Sequence, residues 1–441
     1  MQLIFTTPIF LIFNILRIPH SSASNCFLNT ESYKCRLGTK TPYRFIANYD
    51  DTPIKYPGCT EKKIWLLFRH GTRYPGKRHA SAMIEELPKL KTVILNNFEK
   101  GKNNLSSEDA KLLSEWNISF SEDDVMNLAQ EGENEMIDLA ERYQSRFPLL
   151  LPQTYDNETY KFKFTDSQRT RESARHFAAG LFGWHNSRDI IYPQPEGKDP
   201  ILRFYKRCTR WMNDIKNNPD SQQEKDQFLN SDNVKEALLN ITRHIGHKVN
   251  YTYAHLMHLI CAFETAWNRT SDSPWCRFVS PESHKIFEFA EDLGYYWTDG
   301  YGYGLTYEQA CPALRDMFAF ILSEKRPQVS AYFTHSGTIL KLLALLGVAK
   351  DDEILTHEWF AQQGDNREWR TSIIDSFATN LAFVLYNCTS GGPSILFMHQ
   401  ERAVHLPGCP LNKPCPVSIM RALYPDQEEE CPFELMCQIS K

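Results

Sequence analysis

The 441-residue chain has no excess of positive charge, no Cys-x-x-Cys pair, no repeat of fixed period and no low-complexity tract. Each absence removes a class of function. Lys and Arg number 49 against 54 Asp and Glu, a formal charge of −5, whereas a nucleic-acid binder is usually basic overall. No nucleic-acid partner is expected, and any anionic ligand must be drawn by a local cluster of cations. Twelve cysteines without one Cys-x-x-Cys spacing argue against a zinc site. Hydrophobic residues at 42% and charged residues at 23% are ordinary for a globular protein, and the length suffices for one large domain or two smaller ones.

Long apolar runs are also scarce. Leu3 to Leu16 is apolar but shorter than the roughly 20 residues a membrane-spanning helix needs, and Pro19 and His20 follow it. Ser21, Ser22, Ala23 and Ser24 then offer a cleavage site, so residues 1–24 read as a secretory signal, although no Lys or Arg precedes the run. No stable membrane anchor is expected. All 12 cysteines follow this segment, and an even count in a secretory chain suggests disulfides throughout. Cys409/Cys415 and Cys431/Cys437 are plausible partners by spacing. Asn-x-Ser/Thr sequons begin at Asn104, Asn117, Asn157, Asn240, Asn250, Asn268 and Asn387, each a candidate for glycosylation. The last residues, Cys437 to Lys441, carry no retention or lipidation signal. Secretion, or residence in an endomembrane or lysosomal lumen, is the expectation.

Ile64-Trp-Leu-Leu-Phe68 is a short apolar run with charged flanks, as in a strand buried on both faces. Val329 to Thr334 is similar, and a helix from Thr338 to Leu346 follows, stopped by Gly347. Asn380 to Tyr386 reads as a third strand, and Ser394–Met398 with Arg402–Leu406 as a hairpin. Between residues 186 and 320 the texture changes to polar and apolar residues at helical spacing. The expected fold is α/β: a mainly parallel-sheet core of residues 25–185 and 321–441 with flanking helices, interrupted by an inserted, mostly helical domain at 186–320.

The dense chemical signal is Arg69-His70-Gly71-Thr72-Arg73-Tyr74-Pro75, directly after the first strand. Ligands in open α/β sheets gather beyond the carboxyl ends of strands. Arginine forks match phosphate oxygens, and a neutral imidazole between two of them can attack phosphorus to form a covalent intermediate. Gly71 is expected to let the backbone turn closely around an anion. Arg169, in Asp166-Ser-Gln-Arg169, is a candidate third guanidinium, and His335 stands beyond another strand. Lys77 and Arg78 are expected at the rim, touching substrate, whereas His79, Arg171 and Arg175 read as structural or solvated. The arginines supply the positive charge, so no metal or cofactor is expected. The expected partner is a small anionic phosphate ester.

This string resembles the R-H-G-x-R-x-P signature of the histidine acid phosphatase branch of the histidine phosphatase superfamily. Lesser matches make the chain most similar to the multiple inositol polyphosphate phosphatases: Leu37-Gly-Thr-Lys-Thr-Pro-Tyr43, Gly58-Cys-Thr60, Ser167-Gln-Arg169 with Gly180-Leu-Phe182, Gly300-Tyr-Gly302, Cys311-Pro312 and Leu406-Pro-Gly-Cys409. The resemblance implies His70 as nucleophile, with Arg69, Arg73, Arg169 and His335 on the reacting phosphate. It also implies inositol polyphosphate substrates, with 2,3-bisphosphoglycerate as a further candidate. One departure stands out. The acid phosphatases place Asp directly after the second histidine, and the inositol polyphosphate phosphatases place Glu two residues after it; here those positions are Ser336 and Gly337. The implied proton donor is missing. Asp166, Asp299, Glu308 and Asp351-Asp352-Glu353 are available acids, with nothing in the sequence to select one. The chain therefore reads as a secreted phosphomonoesterase or, alternatively, as an inositol-phosphate binder impaired in turnover.

Overall fold

A computed structural model describes residues 25–28, 31–425 and 429–439. The signal-like stretch 1–24 lies outside the described residues. Seven strands form one sheet: β1 (Cys59–Arg69), β2 (Tyr160–Phe164), β3 (Val329–Thr334), β4 (Asn380–Cys388), β5 (Gly392–His399), β6 (Arg402–Ala403) and β7 (Cys415–Pro416). The order is β2-β3-β1-β4-β5-β6, with β7 also on β5. β2, β3 and β1 are mutually parallel, whereas β4 to β7 join antiparallel. The α/β class expected from the sequence holds, but the sheet is mixed rather than mainly parallel. Its physical cause is local: β4 and β5 are separated by only Thr389 to Gly391, too short for the helical crossover a parallel pair requires. The hairpin expected of Ser394–Met398 with Arg402–Leu406 exists, but its return strand pairs only at Arg402 and Ala403.

Alternation along β1 explains why its apolar run is continuous. Ile64, Leu66 and Phe68 point to one buried layer, and Trp65 and Leu67 to the other. The first layer is completed by the helices α2 (Gln130–Arg146) and α3 (Gln168–Asn186), which follow α1 (Lys77–Glu99) in the chain. The second is completed by residues such as Leu202, Phe228, Phe289 and Leu293. All regular elements described between 186 and 320 are helical, among them α4 (Tyr251–Trp267) and α5 (Pro281–Asp299). α6 (Ser336–Leu345) follows β3 as the sequence indicated.

All 12 cysteines pair: Cys26–Cys35, Cys59–Cys388, Cys208–Cys437, Cys261–Cys276, Cys311–Cys431 and Cys409–Cys415. The expected Cys409–Cys415 bridge is present; a Cys431–Cys437 bridge is not. The C-terminal segment is instead pinned at two separate places in the fold, which spacing does not reveal. The asparagines of all seven sequons are exposed or nearly so, and no helix among the described residues is long and apolar enough to cross a membrane.

Candidate active site

Three parallel strands end side by side. β1 delivers Arg69 and His70, β3 delivers His335, and β2 runs through Thr165 into α3, whose first turn carries Arg169. The ladder continues past the strand ends, with the His70 amide donating to the Thr334 carbonyl (3.1 Å) and the Thr165 amide to that of Phe333 (3.2 Å). Because β3 lies between the other two, segments distant in sequence converge at one carboxyl edge of the sheet.

The imidazoles of His70 and His335 sit edge to face, centroids 5.5 Å apart. His70 Nδ1 lies 2.9 Å from the Gly71 carbonyl. A carbonyl only accepts, so this contact keeps the proton on Nδ1 and the lone pair on Nε2. Burial, followed by the nearby charges of Arg169 and Arg69, pushes the His70 pKa well below 6.5, so the ring stays neutral into the acid range. His335 is held neutral by the same causes, burial first and then Arg169 and Arg203. Its Nε2 lies 2.9 Å from Thr165 Oγ1, and its Nδ1 is 3.4 Å from Arg169 Nη2.

Around these rings stand four guanidiniums, those of Arg69, Arg73, Arg169 and Arg203. Each has a buried Nε without a hydrogen-bond partner among the described residues. Burial and mutual repulsion depress the pKa of Arg73 and of Arg169. Arg69 is oriented by the Thr39 and Asp375 carbonyls (2.8 and 2.5 Å) and by the ring of Phe377. Arg203 carries no motif in the sequence. It arrives because the Leu202 carbonyl accepts from the hydroxyls of Thr334 and Thr338, both at 2.6 Å, which fastens its segment to the end of β3. Lys206, near Arg203 and Lys216, extends the field, whereas Lys40, near Arg73 and Arg69, is paired with Glu291 at 3.0 Å.

Gly71 is required by packing: a Cβ there would stand 2.5 Å from the Gly132 carbonyl oxygen on α2. Glu135 on the same helix accepts from the Thr72 amide (2.7 Å) and hydroxyl (3.0 Å), anchoring the loop from behind. Lys77 and Arg78 open α1, exposed and outside the buried cluster. Of the acids singled out, Asp166, Glu308, Asp352 and Glu353 are exposed, and Asp351 accepts from the amides of Glu368 and Trp369. Asp299 does reach the site, its Oδ1 standing 3.3 Å from where a Cβ at Gly337 would be. A further carboxyl, Asp375, was absent from the sequence reading; it closes a four-residue helix and lies with Oδ2 3.7 Å from Arg69 Nη1. No signal short of the fold identifies it.

Comparison with known proteins agrees with this architecture. A sequence profile of the histidine phosphatase superfamily (branch 2) matches residues 62–403. The chain is 31% identical over 386 residues to multiple inositol polyphosphate phosphatase 1 of Drosophila melanogaster, covering 85% of this chain and 81% of the relative. The human protein of the same name is 27% identical over 386 residues, covering 80% and 77%. Among solved structures, a phytase from D. castellii superposes with a TM-score of 0.73 at 16% identity, covering 91% of this chain and 88% of the other. A Bifidobacterium longum multiple inositol polyphosphate phosphatase, in complex with inositol hexasulfate, gives a TM-score of 0.66 at 14% identity, covering 89% and 98%.

Proposed function

Because the chain belongs to branch 2 of the histidine phosphatase superfamily, we propose that it is a metal-independent phosphomonoesterase acting on inositol polyphosphates through a phosphohistidine on His70. The observation that carries this reading is an imidazole with its proton held on Nδ1, set among four guanidiniums whose Nε groups lack partners. The reacting phosphoryl group sits among Arg69, Arg73, Arg169 and Arg203, with His335 alongside. His70 Nε2 attacks phosphorus, the ester oxygen leaves, and water then hydrolyses the N–P bond. The arginines stabilise charge that grows on the phosphoryl oxygens. Lys206 and Lys216 would meet the additional phosphates of a polyphosphorylated ring, and the names of the relatives point to the same substrate class. Six disulfides and seven exposed sequons support secretion or a lumenal location.

Phosphate release from inositol hexakisphosphate and from p-nitrophenyl phosphate, measured between about pH 4 and 7.5, tests the proposal. Wild-type protein turns over and His70→Ala does not. Turnover that survives His70→Ala overturns the mechanism. Ser336 and Gly337, where the resembling families carry an acid, favour a second reading, a binder that retains the clamp without turnover. Tight binding of inositol hexakisphosphate with no release from either ester would establish that alternative.

A further inference from the structure

Each of the two positions left without a carboxyl, Ser336 and Gly337, faces a carboxyl from elsewhere in the chain. Behind Gly337 stands Asp299, in an ion pair with Lys341 and accepting from the Thr298 hydroxyl at 2.6 Å. Burial opposes its ionisation, but Lys341, Lys216 and these hydrogen bonds outweigh it and hold the pKa below the ordinary value. A carboxylate so held is a poor acid. Behind Ser336 stands Asp375, fully buried, with neither carboxyl oxygen hydrogen-bonded in good geometry among the described residues. Ser336 and Arg69 are the neighbours that favour its charged form, and Arg69 Nη1 is 3.7 Å from Oδ2. Burial lifts Asp375 to about 7; Arg69 and Ser336 oppose the rise, and the carboxylates of Asp299 and Glu291 on α5 add to it. One carboxyl kept protonated beside one kept ionised is the pattern by which a site separates acid from base. Ser336 is partly exposed whereas Asp375 is not, so a proton from Asp375 needs a carrier to reach substrate.

We infer that Asp375 is the proton source for the leaving alkoxide and that the Ser336 hydroxyl carries the proton between them. This inference rests on the phosphohistidine reading above. As the His70 Nε2–P bond forms and the P–O ester bond breaks, the Ser336 hydroxyl proton moves to the departing oxygen and the Asp375 proton replaces it. The products are the alcohol, phosphohistidine and the Asp375 carboxylate. In the second half, water attacks phosphorus, its proton returns through Ser336 to Asp375, and the N–P bond breaks to release inorganic phosphate.

The test compares Asp375→Asn, Ser336→Ala and the double variant on two leaving groups. Asp375→Asn slows release from inositol hexakisphosphate by about 100-fold or more, but from p-nitrophenyl phosphate by less than about tenfold, because an aryloxide leaves without a proton. Ser336→Ala shows the same selectivity, and the double variant is no slower than the slower single one, as expected for one shared path. In wild type, kcat for the inositol ester falls as pH rises through the ionisation of Asp375, and Asp375→Asn lacks that limb. Equal losses on both esters, or an alkaline limb that survives Asp375→Asn, overturn the assignment. Melting curves with myo-inositol hexakissulfate verify that each variant keeps its binding site; if Asp375→Asn fails to fold, the leaving-group selectivity of Ser336→Ala decides. His70→Ala separates the layers: activity retained there removes the phosphohistidine reading itself, whereas an inactive His70→Ala with an unselective Asp375→Asn removes only the relay.

Discussion

Two clusters of arginine occupy this molecule, and their difference is in their partners. In one, Arg36, Arg367 and Arg370 meet Glu288, Asp292 and Asp365, with Arg367 Nη2 2.5 Å from Asp292 and Arg370 Nη2 3.1 Å from Glu288. Every guanidinium there faces a carboxylate. In the other, Arg69, Arg73, Arg169 and Arg203 gather with unpaired Nε groups; of the carboxyls nearby, Asp299 is taken up by Lys341 and Asp375 is pushed toward its neutral form by burial. α5 serves both: Glu288 and Asp292, four residues apart, meet the paired arginines, and Asp299, seven residues beyond Asp292 on the same face, stands beside Gly337. Buried charge with its counter-ion in place is scaffold. Guanidiniums gathered without one would be completed by an anion, because desolvation left without a counter-ion is relieved when a ligand arrives.

The contrast can be broken or sharpened by experiment. The largest effect is expected from His70→Ala, which lowers phosphate release from both esters by several orders of magnitude. Next, the two clusters should answer substitution in opposite ways. Arg367→Ala leaves Asp292 without its cation, while Glu288 keeps Arg36 and Arg370, and costs about 3–5 kcal/mol in urea unfolding. Arg169→Ala removes a donor to the developing charge and costs about 10²–10³-fold in kcat, with no loss of melting temperature. If Arg169→Ala destabilises as much as Arg367→Ala, the distinction between scaffold and site fails. Saturating myo-inositol hexakissulfate at 100 times its Kd adds about 2.7 kcal/mol to the folded state, and Arg169→Ala diminishes that gain in a thermal shift assay.

A smaller effect concerns pH. Asp375 has a raised pKa when folded, so the native state holds a proton that the unfolded chain releases near pH 4. Stability from this group is therefore lost as pH rises from about 4 toward 7. Asp375→Asn should raise the melting temperature relative to wild type at pH 8 more than at pH 4. The smallest effect is expected from Gly337→Glu. A Cβ at 337 stands 3.3 Å from Asp299 Oδ1 and 3.4 Å from the Tyr205 ring, so an added carboxylate meets one already present. The substitution alone does not speed release from inositol hexakisphosphate, and an increase appears only when Asp299→Ala clears the space.

Much of this was legible before the fold. β1, β3 and α6 announce themselves because each apolar run is continuous and bounded by charge or glycine, and the seven residues from Arg69 to Pro75 are a contiguous motif. Arg203 and Asp375 are not, because neither belongs to a local pattern. One is fastened by the Leu202 carbonyl to hydroxyls on β3 and α6, and the other sits at the end of a four-residue helix beside Arg69. The packing role of Gly71 was hidden for the same reason, since the atom it makes room for belongs to Gly132, remote in the chain. By itself the sequence determined the strands, the imidazole between two arginines and the absence of a carboxylate after His335, since all of these are relations between neighbours. Only the tertiary structure decided which charges lack partners and which carboxyl is driven to keep its proton, because burial and counter-ions come from segments that meet through folding alone.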